Sequence, residues 1–177
     1  MPTYHSVARD EAHQVFDALE DLYAIVYAEP PYSEGPEQVA RFREGLPEET
    51  TRPGFRLITA TDGTLMLGAA YGWTMATVTW WSRANEDPPP EIRDADKFAV
   101  MEWMVHPSHR GQGIGAELMR RLLAGRSEQY ATLASNPVSA ARRMYERTGW
   151  QQVGTSALSW GPTMDLLVLP LQLRPTA

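Results

Sequence analysis

Apolar positions change spacing several times along the chain, and glycines and prolines mark most of the changes. Ala12, Val15, Phe16, Leu19, Leu22, Tyr23 and Val26 recur at helical intervals, which predicts one helix over residues 10–27. Glu29-Pro30-Pro31-Tyr32 ends it. Pro36 suits the first turn of a second helix, which turns Val39, Phe42 and Leu46 inward. Residues 55–61 and 64–73 read as strands around Asp62-Gly63, a hairpin signal. Residues 74–94 show little periodicity and contain Trp80-Trp81 and Pro88-Pro89-Pro90. An irregular stretch of that length is more often functional or mobile than inert. A strand over residues 97–105 follows, then a helix at 114–124, a strand at 130–133 and a helix at 140–147. Strands at 151–156 and 164–169 close the order ααβββαβαββ, a mixed α/β sandwich.

The most informative local sequence is Arg110-Gly111-Gln112-Gly113-Ile114-Gly115, between the strand at 97–105 and the helix at 114–124. A glycine-rich turn that opens a helix exposes backbone N–H groups at the positive end of the helix dipole, which suits phosphate. Arg110 adds a charged fork. A nucleotide P-loop is excluded, because no Lys-Ser/Thr follows Gly115. A dinucleotide fingerprint fits poorly: the spacing is Gly-x-Gly-x-Gly, it lies late in the chain, and no acidic residue ends a strand about 20 residues on. The pattern that Arg110, Gly113 and Gly115 match is Arg/Gln-x-x-Gly-x-Gly/Ala. A turn that merely tightens a strand–helix junction is the plainer alternative.

With Val105-His106-Pro107 before it and the run from Ala141 through Tyr145 to Gly149-Trp150 after it, this turn resembles the acyl-CoA site of the GNAT superfamily of N-acetyltransferases. The resemblance is recognisable over residues 98–153; before that it rests on element order. It implies a mixed, mostly antiparallel central sheet flanked by helices, with a weak first strand at residues 3–7. It implies a single domain over residues 1–177. Residues 1–95 would form the acceptor side, with a long loop at 74–95, and residues 96–177 the acyl-CoA side.

The resemblance further implies that backbone groups of Met104 and Val105, facing Thr132-Leu133, pair with the pantetheine arm of acetyl-CoA. The turn, Arg110, Gly111, Gln112, Gly113, Ile114, Gly115 and Ala116, would take the pyrophosphate. His109, with His106, lies on the cofactor side. In many relatives an Asn stands seven residues before the helix tyrosine; here that position is Val138, and Asn136 two residues earlier is the candidate left. Tyr145 matches the family tyrosine near the sulfur and would protonate the departing thiolate. An aromatic that packs its helix on the sheet is the alternative. Glu102 is the only acid in an apolar strand and matches a Glu seen in many relatives. Burial would raise its proton affinity and suit it to general-base work, unless it is edge-facing or paired with arginine.

Charge distribution adds an acceptor side. Residues 1–100 carry 17 acidic and 8 basic side chains, and residues 101–177 carry 5 and 8. The basic part suits a polyanionic cofactor, and the acidic part suits a cationic amine or is simply solvated surface. No concentrated basic patch points to nucleic acid. Glu29, Tyr32, Trp73, Trp80 and Trp81 are candidate acceptor residues, since aromatics beside acids hold organic cations; the tryptophans could instead anchor the long loop or form a subunit contact. With no cysteine, neither a disulfide, nor a thiolate metal site, nor a cysteine-bound acyl intermediate can form. No metal is expected. No signal peptide or membrane span is apparent, so a cytoplasmic location is expected. Residues 166–171 could pair across a homodimer. The function expected is transfer of an acetyl group to a primary amine of a small cationic molecule. A protein N-terminal or lysine acetyltransferase and a non-catalytic CoA-binding sensor are the alternatives.

Overall fold

The computed structural model describes residues 1–157 and 161–171. In chain order the elements are β1 (Thr3–Val7), a 3-10 segment (Arg9–Val15), α1 (Phe16–Tyr27), α2 (Pro36–Glu49), β2 (Arg56–Asp62) and β3 (Leu65–Met75). Then come α3 (Pro90–Arg93), β4 (Lys97–Val105), a 3-10 turn (Pro107–His109), α4 (Ile114–Leu123), β5 (Tyr130–Ser135), α5 (Ala140–Arg147), β6 (Gln151–Ser156) and β7 (Met164–Pro170). The strands form one sheet in the order β1-β2-β3-β4-β5-β7-β6. β4 and β5 pair in parallel, while β1–β2, β2–β3, β5–β7 and β6–β7 are antiparallel. This is the mixed α/β sheet expected, including the weak first strand.

The chain divides into two compact units, Met1–Trp73 with Met101–Ala124, and Thr74–Val100 with Gly125–Ala177. In the first, the helical stripe read from the sequence forms the core. Ala12, Phe16, Leu19, Leu22 and Val26 pack with Leu46, Leu57, Met66, Tyr71 and Met104. Each of the leucine, valine, phenylalanine and methionine side chains removed from water there contributes on the order of 1.5–3 kcal/mol. The stripe is not one α-helix. Its first part is 3-10, and Val15 at φ −109° and ψ 4° separates the two segments. Neither segment has a side-chain cap.

Helix α4 approaches β3 and β4 closely. A Cβ at Gly68 would stand 2.8 Å from the Met104 carbonyl oxygen and 2.9 Å from Leu118 Cδ1. Glycine is required there for space. At its other end α4 is held by Arg56, whose Nη1 donates to the carbonyls of Leu122 and Ala124.

In the second unit, the stretch expected to be irregular is tied down. Asn85 N–H donates to the Thr155 carbonyl, and Ala84 bridges to Ser156. Trp81 Nε1 donates to Thr132 Oγ1 at 3.0 Å, and that hydroxyl donates to the Leu167 carbonyl at 2.9 Å. Lys97, the only lysine, is wholly buried, with Nζ donating to the carbonyls of Ile92, Arg93 and Ala95. It thereby satisfies backbone groups in and just after α3.

Residues 166–171 do not form the surface expected for a dimer. β7 pairs with β5 along one edge and β6 along the other, and Leu166, Leu167 and Val168 are at most 2% exposed. The apolar run is buried because β7 is inserted between two strands that precede it in sequence.

Two alanine substitutions should move stability in opposite directions. Gly68→Ala overpacks α4 and should cost about 1–3 kcal/mol, lowering Tm by several degrees. Gly45, inside α2, has only Glu49 Oε1 near a built Cβ, at 3.9 Å; Gly45→Ala should stabilise by about 0.5–1 kcal/mol. Thermal denaturation of both checks the packing.

Candidate acyl-CoA and acceptor sites

The chain leaves β4 at His106, whose N–H donates to the Leu67 carbonyl at 2.8 Å. After the 3-10 turn, Gly111 and Gly113 adopt φ +74° and +81°. A Cβ on either would meet nothing within 4 Å, so backbone angle and not crowding favours glycine there. Gly113 is the N-cap of α4 and supplies no capping side chain. Glu117 N–H closes the first helical bond to the Gly113 carbonyl. The N–H groups of Ile114, Gly115 and Ala116 therefore have no helical carbonyl to meet.

Gly115 answers a different constraint. Its Cβ would lie 3.3 Å from Val105 Cγ2 and 3.4 Å from Trp103 Nε1. Trp103 Nε1 donates to the Gly115 carbonyl at 2.9 Å, pinning the first turn of α4 to β4. Sequence reasoning missed Trp103, since a strand that is nearly all apolar does not show which face a helix covers. The parallel ladder of β4 with β5 spans Lys97–Phe98–Ala99 opposite Tyr130–Ala131–Thr132, so Met104 and Val105 lie past its end.

Arg110 is about half exposed and carries two contacts: Nε to the Val105 carbonyl at 3.3 Å and Nη1 to Glu29 Oε2 at 2.7 Å. One candidate acceptor residue thus holds one candidate phosphate residue. An exposed pair of this kind contributes about 0–1 kcal/mol, so an anion can compete for the guanidinium. His106 and His109 meet edge to face at 5.3 Å. His109 Nδ1 is buried and finds no hydrogen-bond partner among the described residues. Gln112 is exposed on the turn.

Glu102 is half-buried in β4, and its Oε2 accepts from the Tyr27 hydroxyl of α1 at 2.5 Å. Burial pushes its pKa up to about 8; the Tyr27 hydrogen bond opposes the shift, and the charges of Glu49 and Glu34 add to it. Two further phenol–carboxylate pairs stand in the same unit. Tyr23 donates to Glu34 Oε2 at 2.5 Å, and Tyr71 donates to Glu49 Oε2 at 2.6 Å. Burial raises the pKa of all three tyrosines, so each stays protonated and donates. Glu49 is also raised by burial, against the Tyr71 hydrogen bond and Arg52. Tyr23, Tyr27, Tyr71, Glu34 and Glu49 were not expected at a site. Tyr23 and Tyr27 stand one helical turn apart, a spacing that could have signalled them.

The remaining candidates fall in both units. Tyr32 packs edge-on against Tyr27 at 4.9 Å. Trp73 already has a cation over its ring, the Arg52 guanidinium at 5.7 Å. Trp80 and Trp81 belong to the second unit and are half-buried; Trp81 anchors its loop through Thr132. Tyr145, also in that unit, is 7% exposed and meets Trp150 edge to face at 5.7 Å. Its helix α5 is capped by Ser139 Oγ, which accepts from Arg142 N–H. Asn136 is buried, and its Oδ1 accepts from Val138 N–H at 3.0 Å, so that oxygen is engaged in its own turn. Among the described residues no group of three His, Cys, Asp or Glu is placed to hold a metal ion. None of the described helices is long and apolar enough to cross a membrane.

Residues 64–152 match the family model of the acetyltransferase (GNAT) domain. The chain is 32% identical over 101 residues to a GCN5-like protein acetyltransferase of Mycobacterium tuberculosis, an alignment covering 50% of this chain and 49% of that protein. It therefore spans about half the length of that curated relative. Among solved structures, aminoglycoside 6'-acetyltransferase type Ii superposes with a TM-score of 0.65 at 18% identity, covering 98% of this chain and 99% of that one. The PaiA N-acetyltransferase of Thermoplasma acidophilum, in complex with coenzyme A, gives 0.64 at 10% identity over 97% and 99%. At such identities the likeness is one of fold.

The position of Glu102 has a stability consequence. Its folded pKa of about 8 lies above the ordinary carboxylate range, so the folded protein binds the extra proton between those values. Its contribution is full at acid pH and is lost as pH rises toward and through 8. Glu102→Gln should therefore gain stability relative to wild type as pH goes from 5 to 9, by on the order of a few kcal/mol. Urea unfolding at both pH values checks the sign; a difference that is flat with pH would remove the buried-carboxylate account.

Proposed function

The chain belongs to the GNAT acetyltransferase family, and on that premise we propose that it moves an acetyl group from acetyl-CoA to a primary amine of a small, cationic molecule by direct attack. The carrying observation is the uncapped start of α4, with its two left-handed glycines and Arg110 at the rim. That arrangement fits a pyrophosphate: uncapped N–H donors, a positive dipole, and, among the described residues, nothing within 4 Å for a Cβ built on Gly111 or Gly113 to meet. Met104 and Val105, past the end of the β4–β5 ladder, are the proposed backbone partners of the pantetheine arm. His109, with its orphaned nitrogen, and Asn136 complete the proposed cofactor residues.

Bound acetyl-CoA supplies a thioester carbonyl open to attack, and the protein's work is to position groups and move protons. Glu102 accepts the proton of the amine, directly or through water. A pKa of about 8 keeps it basic enough for that task near neutral pH. Tyr145 donates its phenolic proton to the departing thiolate. The chain holds no cysteine, so the acetyl group passes to the amine without a cysteine-bound intermediate. Glu29, Tyr32, Trp73, Trp80 and Trp81 are proposed on the acceptor side. The repulsion that Glu102 feels from Glu34 and Glu49 favours an acceptor of opposite charge.

One observation favours a second reading. The Mycobacterium tuberculosis relative is described as a protein acetyltransferase, so a protein lysine or N-terminus is the alternative acceptor. A CoA-binding module without catalysis would bind the cofactor and turn over nothing.

Thiol release from acetyl-CoA, measured with a panel of small polyamines, amino sugars and lysine peptides, separates these readings. Turnover of small cationic amines is expected; turnover of peptides alone would support the second reading, and cofactor binding without turnover the third. kcat/KM should rise with pH through about 8 as Glu102 ionises. Glu102→Gln should lower it about 100- to 10,000-fold near neutrality. Tyr145→Phe should lower kcat with cofactor affinity kept, and an unaffected turnover would remove the acid role.

A further inference from the structure

The contact between α1 and β4 carries an assignment of its own. Tyr27 and Glu102 are 75 residues apart in sequence, yet the phenol and carboxylate meet at 2.5 Å. Tyr27 packs against two other rings, Tyr23 at 4.4 Å and Tyr32 at 4.9 Å between centroids. Glu102 Oε1 accepts no hydrogen bond among the described residues. One carboxylate oxygen is therefore occupied, and the other is open.

We propose that Tyr27 is the positioning residue of Glu102: its hydroxyl occupies Oε2, fixes the carboxylate plane, and leaves Oε1 as the oxygen that accepts the amine's proton. The proposal rests on the reading of Glu102 as the general base. Tyr27 touches no reacting atom and acts through the carboxylate.

The chemistry of the pair suits that role. A buried carboxylate beside like charges loses its ionised form unless a donor supports it. An arginine would support it too strongly, removing its basicity. A phenol donates one hydrogen bond without adding charge and leaves the other oxygen protonatable. The groups facing Glu102 are Tyr23 and Tyr27 of α1, Glu34 of the loop before α2, Glu49 of α2 and Tyr71 of β3. Tyr27 is the donor bonded to Glu102 itself; Tyr23 and Tyr71 donate to Glu34 and Glu49. The Tyr27 bond favours the ionised carboxylate, whereas Glu34 and Glu49 disfavour it. Removing the hydroxyl should therefore move the carboxylate's titration upward.

Tyr27→Phe keeps the ring and deletes the hydrogen bond. The acid limb of the kcat/KM profile should move up by about one pH unit, with about a tenfold loss at pH 7 that is largely recovered at high pH. Tyr23→Phe, in the same aromatic cluster, should move the limb distinctly less. A limb that disappears in Glu102→Gln identifies the titration as that of Glu102. If it survives there, the base reading falls and this proposal with it. If it disappears in Glu102→Gln but stays put in Tyr27→Phe, the positioning role alone falls. Equal movement in Tyr23→Phe and Tyr27→Phe would also overturn it, because the effect would then be general loosening of the cluster. An NMR titration of wild type needs no variant that folds: the Tyr27 13Cζ resonance should follow the Glu102 midpoint, and a flat trace counts against the proposal.

Discussion

The separation between α4 and the strands β3 and β4 governs the glycine turn at residues 110–115. A Cβ at position 68 would strike the Met104 carbonyl and Leu118, and one at position 115 would crowd Val105 and Trp103. Because both positions are glycine, the helix lies directly on the strands, and Trp103 ties its first turn in place through the Gly115 carbonyl. The free N–H groups at the helix start then have a defined direction. Glycine serves two purposes around α4: Gly111 and Gly113 supply backbone angles, while Gly68 and Gly115 supply space.

Glu102 lies under opposing forces. Burial and the charges of Glu34 and Glu49 favour its protonated form, and the Tyr27 hydroxyl favours the ionised one. The balance leaves its proton affinity near neutrality. Tyrosine partners recur for all three acids, at Tyr23, Tyr27 and Tyr71. A phenol satisfies a carboxylate lone pair without adding a positive charge, so it leaves the proton affinity of Glu102 and Glu49 high. Arg110 and Glu29 form the contrasting case. Their exposed ion pair is weak enough to yield to a better anion or cation.

The glycine turn before α4 and most element boundaries were legible because they depend on local backbone preference. Glycine after glycine before an amphipathic run specifies an uncapped helix start whatever surrounds it. Two features were misread, for one reason. The stripe at residues 10–27 has helical spacing, but apolar periodicity does not separate a 3-10 turn from an α-helix. Residues 166–171 looked free to pair with a second copy, yet β7 lies between β5 and β6, an order that adjacent residues do not encode. Residues 74–94 lacked periodicity but are fastened by Trp81, Asn85 and the bridge at Ala84, whose partners lie about 50 to 70 residues away.

By itself, then, the sequence determined the mixed sheet and the left-handed glycine turn that opens α4, since each follows from spacing and from glycine's backbone freedom, and its motifs from Val105 to Trp150 already resembled those of the family. It also marked Glu102 as a lone acid in an apolar strand. Only the tertiary structure decided what that acid meets. Tyr27, Glu34, Glu49 and Tyr71 come to it from four other parts of the chain, and burial and charge act through space and not along the sequence.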